Sequence, residues 1–143
     1  MIAYFGDRRG TAMSASSYLR EATRLAQAQR VDQAIAHLRD GIRVAREQGD
    51  LAGIAALASH AAAHCTHLGQ LEAAVALYEE AARCDPEDPY RQLAIGDIYA
   101  MLGDDARSAM HWNQFSEMAS ASMDPDLLEL LAAHLARRQR LTR

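Results

Sequence analysis

Three histidines make the sharpest chemical pattern in this chain. His60, His64 and His67 are spaced by four and three residues, which places all three on one face of a helix. Neutral imidazoles in that arrangement are candidate ligands for Zn²⁺ or Ni²⁺. Two features oppose a metal site. No Asp or Glu lies between Asp50 and Glu72 to complete or orient the set, and a single helix offers poor tetrahedral geometry to three ligands. The expected role of these histidines is therefore a polar surface lining, with metal binding as the minor alternative. His37, His111 and His134 are scattered, and are expected at the surface or partly packed.

No other set of residues promises catalysis. Gly-x-Ser-x-Gly and Cys-x-x-Cys are both missing from the sequence. The acid pairs Glu79-Glu80 and Asp104-Asp105 fall on a helix face and at a turn, where solvated charge accounts for them. All 15 basic residues are Arg and none is Lys. Without lysine there is no side-chain amine for a Schiff base and no P-loop phosphate lysine. High Ala and Arg with no Lys also looks like the bias of a GC-rich bacterial genome. A non-enzyme without cofactors is the expectation.

Charge is unevenly spread around a net value of −4. Residues 1–50 hold eight Arg against six acids, residues 71–105 hold nine acids against two Arg, and residues 137–143 hold four Arg. An acidic middle disfavours nucleic acid, whose phosphates need a basic footprint. No apolar run is long enough for a membrane span. Met1 to Arg9 puts its charge after a very short apolar run, the wrong order for a secretory signal. Cys65 and Cys84 fall at Ala-like helical positions, as reduced thiols of a cytoplasmic protein would.

The elements that must position these residues are helices. Thirty of 143 residues are Ala and only eight are aromatic. Ala is the strongest helix former, and alternating β patterns are nearly missing, so an all-α fold is expected. Apolar periodicity predicts helices over about 14–28, 31–48, 51–68, 71–84, 90–102, 106–119 and 125–140. Gly49, Gly69 and Gly103 are natural stops, and Asp50 and Asp124 natural caps. The predicted inward sets include Leu51, Ile54, Ala58, Ala61, Ala62 and Cys65 on the third helix. They include Ala109, Met110, Trp112 and Phe115 on the sixth, and Leu127, Leu128, Leu131 and Leu135 on the seventh. Residues 1–13, with Gly6 and Gly10 and no periodicity, read as a flexible leader to a single domain over 14–140.

The sequence also repeats at a spacing of 34. Leu68-Gly69 returns as Leu102-Gly103, Ala62 and Cys65 as Gly96 and Tyr99, and Ala74, Tyr78 and Ala81 as Ser108, Trp112 and Phe115. A 34-residue period with small residues at fixed places signals a stacked helical array.

These residues resemble the tetratricopeptide repeat (TPR) family. The match is best over 55–88, where Gly69, Leu71, Ala74, Tyr78, Ala81 and Asp85-Pro86 fall at the pattern's positions. The unit over 89–120 matches at Ile95-Gly96, Tyr99 and Gly103. It departs at Asp105, where an apolar residue is usual, and at Phe115, where Ala is usual. A first unit over about 15–50 fits through Tyr18, Ala22, Leu25, Val31, Ala34 and Leu38. There Gly41 replaces Ala, no proline closes the repeat, and the second helix is longer than standard. The resemblance implies an α-α superhelix of three hairpins, with a capping helix over about 125–140.

It also implies a concave groove, lined by the first helix of each pair, that binds a partner segment. Carried over, the groove residues are Arg20, Thr23 and Gln27, then Ser59, His60 and His67, then Tyr90, Leu93, Asp97 and Met101. Ser16, Leu19, Ala63 and Ala94 lie beside them. The family's best-known carboxylate clamp uses Lys, Asn and Arg. Its positions here hold Leu19, Thr23, His60, Tyr90 and Ala94, so a C-terminal chaperone tail is a poor ligand. A mixed apolar and polar groove suits an amphipathic helix or an extended segment, with Tyr90, Leu93 and Met101 as anchors. The implied job is that of an adaptor, assembly factor or chaperone. The alternative is self-association through Trp112, Phe115 and the leucines of the last helix.

Overall fold

The computed structural model describes residues 13–141, so all but Met13 of the expected leader lies outside the described residues. Seven helices and no strand are found among them. They are α1 (Ala15–Gln27), α2 (Val31–Glu47), α3 (Leu51–His67), α4 (Leu71–Cys84), α5 (Pro89–Met101), α6 (Asp105–Ser120) and α7 (Pro125–Leu141). Each predicted boundary lies within one residue of these.

Local chemistry explains the boundaries. Side-chain oxygens of Ser14, Asp50, Asp88 and Asp104 accept from backbone amides at the starts of α1, α3, α5 and α6, which satisfies donors the helix cannot. Gly49, Gly69 and Gly103 end α2, α3 and α5 with φ of 68, 76 and 82°, the left-handed region that a side chain disfavours. At each of these ends the following amide closes the turn. Asp50 N–H donates to the Ala45 carbonyl, Gln70 to Cys65 and Asp104 to Tyr99.

The helices form two compact units, the first ending at Pro86 and the second starting at Glu87. In the first, α1 to α4 each pack on the next, and α1 also touches α3. Its core is dense in small side chains: Ala34, Ala58, Ala61, Ala62, Cys65, Ala74 and Ala81 are fully buried, with Leu38 and Leu57 among them. Small residues let helix axes approach closely. Gly41 is one such close approach, since a Cβ there would lie 2.7 Å from Tyr18 Cγ. Arg46 of α2 and Glu80 of α4 form an ion pair at the edge.

In the second unit α5 packs on α6, and α6 on α7. Phe115, Ala119, Leu127 and Leu131 form its apolar core, with Leu93 and Leu130 against it. Ile95 and Ile98 of α5 are buried as well.

Four predicted inward residues point the other way. Leu51, Met110, Leu128 and Leu135 are exposed. Leu51 is the first residue of α3, ahead of the turn where packing begins. Met110 lies off the buried line of Ser108, Phe115 and Ala119 on α6. On α7 the buried line is Leu127, Leu131 and His134, a narrower stripe than four leucines suggest. His134, expected at the surface or partly packed, is instead buried.

Candidate functional site

In the first unit, the groove residues carried over from the sequence lie on α1 and α3. Arg20, Thr23 and Gln27 are exposed along α1. The Thr23 hydroxyl donates to the Leu19 carbonyl at 2.8 Å, and Arg20 donates to Ser17 Oγ at 3.3 Å. On α3, His60 and His67 are exposed while Ser59 and His64 are half-buried. His60 Nδ1 sits 2.8 Å from the Ala56 carbonyl of its own helix. Burial, and then the neighbouring His60 and His67, hold the His64 imidazole below its ordinary range. Among the described residues no three His, Cys, Asp or Glu side chains are placed to hold a metal ion. The histidine face presents the exposed rings of His60 and His67, whose nitrogens can exchange hydrogen bonds with a partner.

In the second unit, Tyr90 and Met101 mark the two ends of α5 and are both exposed. Each presents a large, adaptable side chain of the kind that anchors interfaces. The two residues between them do different work. Leu93 packs against the Phe115 cluster. Asp97 accepts from Trp112 Nε1 at 2.9 Å and from Arg137 Nη2 at 3.1 Å. Its carboxylate thereby ties α5 to α6 and α7, so Asp97 is a structural bracket as well as a half-exposed charge.

Sequence reasoning did not find the polar interior of this unit. Arg91, Gln92, Ser108 and His134 are buried. Arg91 pairs with Asp88 at 3.7 Å. Gln92 Oε1 meets His111 Nδ1 at 2.8 Å. The His134 ring stands edge-on to Trp112 and Phe115, 5.2 and 5.4 Å between centroids. Burial, with Arg137 and Arg138 close by, holds its imidazole below the ordinary range. The signal that could have revealed His134 is its position in the i, i+4, i+7 line with Leu127 and Leu131.

No helix among the described residues is long and apolar enough to cross a membrane. No curated protein matches the chain. Residues 65–103, from the last three residues of α3 through α4 and α5, match the family model of the TPR repeat, and the seven-helix, all-helical fold of the described residues is consistent with TPR repeats.

Proposed function

We propose that this chain is a non-catalytic protein-interaction module that holds a segment of a partner protein, as an adaptor, an assembly factor or a chaperone. The observation that carries this reading is the TPR repeat match over residues 65–103, since repeats of that family generally bind protein partners. The exposed faces support it. His60 and His67 on α3, with Arg20, Thr23 and Gln27 on α1, offer hydrogen-bonding groups. Tyr90 and Met101 on α5 offer apolar anchors. An amphipathic helix or an extended segment suits such mixed surfaces.

The test is capture from source-cell lysate with mass spectrometry, using the native chain and two paired variants. One carries His60→Glu and His67→Glu, the other Tyr90→Ala and Met101→Glu. Asp97 stays native because it brackets three helices. A partner held by the native chain and lost by a variant of unchanged helicity is the expected result. Equal capture by all three chains would remove these faces from the contact.

The alternative of self-association draws on α7, where Leu128 and Leu135 are seven residues apart and both exposed. Light scattering showing a strict monomer at high concentration would exclude it.

A further inference from the structure

Two kinds of contact hold α7 in the second unit, and one histidine belongs to both. The apolar contact sets Leu127 and Leu131 of α7 against Phe115 and Ala119 of α6. The polar contact is a chain across three helices. Trp112 Nε1–H of α6 donates to Asp97 Oδ1 of α5 at 2.9 Å, and Arg137 Nη2 of α7 donates to the same oxygen at 3.1 Å. Arg137 Nη2 also lies 3.4 Å from His134 Nδ1. The His134 ring is 2% exposed and stands against Trp112 and Phe115.

This geometry fixes the protonation state of the ring. A guanidinium only donates, so Nδ1 is the acceptor and the neutral ring carries its proton on Nε2. Nε2 is buried and has no hydrogen-bond partner. A second proton, on Nδ1, would set one donor against another at Arg137. It would also bury a positive charge beside two guanidiniums, which is costly without a paired anion. The charged groups facing the ring are Arg137 and Arg138 from α7 and Asp97 from α5, while α6 faces it with the rings of Trp112 and Phe115. The Asp97 carboxylate is already shared by Trp112 and Arg137. Burial first, and then the two arginines, outweigh it and hold the imidazole below its ordinary range. On an undocked α7 the same ring meets water and takes up the proton freely. A proton that binds the undocked state better shifts the population toward it. Undocking uncovers Phe115 and Ala119, both fully buried under α7, and leaves the α5–α6 pair in contact.

We propose that α7 is an acid-released cover: protonation of His134 at Nδ1 breaks its contact with Arg137, α7 leaves α6, and the apolar face around Phe115 opens. The device is separate from the faces assigned to a protein partner, and it stands whether or not that assignment holds.

The test is amide hydrogen exchange of the full chain at about pH 7.5 and about pH 5, which bracket histidine titration, corrected for the intrinsic effect of pH on exchange. Protection over α7 is expected to fall about tenfold at the lower pH, and that over α5 clearly less. His134→Leu and His134→Gln remove the titrating ring, and each is expected to keep α7 equally protected at both pH values. His111 is the other histidine of this unit, and His111→Gln should respond as the native chain does. The native chain gives an independent readout that needs no variant. In an NMR titration, the midpoint of the His134 ring should coincide with that of α7 opening. The proposal is overturned by an α7 that stays protected while the ring titrates, or by both His134 variants opening as the native chain does. Equal loss of protection over α5, α6 and α7 also overturns it, since the whole unit would then be unfolding.

Discussion

The two units solve the packing of helices with different materials. The first is filled by small apolar side chains, with Ala34, Ala58, Ala61, Ala62, Cys65 and Ala74 fully buried. The second is built around aromatic rings and polar groups. Phe115 is its largest fully buried side chain, and the buried polar residues Arg91, Gln92, Ser108 and His134 all lie there. Small apolar side chains make a core that is dense and chemically silent. Polar groups in a core must each find a partner or cost free energy. The comparison therefore places the buried polar residues of the described chain in the second unit, and leaves the first with a core of small apolar side chains.

The largest effect should come from removing the ring that the second core surrounds. Phe115→Ala is expected to destabilise that unit by about 3–5 kcal/mol, since the surrounding cluster cannot fully close over the space. Urea unfolding followed by Trp112 fluorescence reports the second unit specifically. A loss below that of Leu38→Ala, measured by circular dichroism in the first unit, would show that the aromatic core is not the stiffer of the two.

Glycines at close approaches sharpen the same contrast. A Cβ at Gly96 would clash with the Trp112 indole, which Asp97 and Arg138 pin in place. Gly96→Ala is expected to cost about 1–3 kcal/mol through overpacking and to shift Trp112 emission. A Cβ at Gly41 meets Tyr18, a half-buried ring on α1. Tyr18 can swing outward, and Ala gains about 1 kcal/mol in helix propensity over Gly. Gly41→Ala should therefore cost clearly less. Equal costs would mean that the aromatic brackets add no rigidity.

Acid should separate the units as well. The folded state holds His134 below its ordinary pKa, so the unfolded chain takes up the proton first. The stability that neutral His134 provides is fully present above about pH 6.5 and is lost as pH falls from there through the folded pKa. His64 follows the same sign from a half-buried place. His134→Leu is expected to flatten the acid limb of the second unit's stability profile, while His64→Leu flattens that of the first by less. An unchanged limb in His134→Leu would assign the acid sensitivity to other groups.

Most of the fold was legible because local signals coincide. A cap at Asp50, stops at Gly49, Gly69 and Gly103 and a helical apolar period all mark the same boundaries. The 34-residue repeat pointed to the family whose model matches residues 65–103. The site was legible only as a list of outward positions. Spacing on α5 groups Asp97 with Tyr90 and Met101, but Arg137, forty residues away, claims its carboxylate. Spacing on α7 lined up four leucines, whereas one neighbouring helix covers only a narrow stripe and takes His134 with it. Long-range partners of this kind leave no trace in a local period.

The smallest effect tests how far one hairpin can be made to resemble another. The turns after α2, α3 and α5 use glycine at positive φ, but the turn after α1 places Gln29 there with φ of 65°. It makes the same closing bonds, with Gln29 N–H donating to the Ala26 carbonyl and Arg30 to Leu25. A side chain in the left-handed region costs about 1–2 kcal/mol. Glycine gives back part of that through the greater freedom of the unfolded chain. Gln29→Gly is therefore expected to stabilise the first unit by about 0.5–1 kcal/mol, and Gly69→Ala to destabilise it by about 1 kcal/mol. Gln29 is exposed, so no packing contact confounds the substitution. Thermal unfolding of the two variants and their double mutant should show additive shifts of opposite sign, because the turns lie in separate hairpins. A destabilising Gln29→Gly would mean that the glutamine side chain supports the turn, and that the first hairpin reverses direction by a different mechanism from the second.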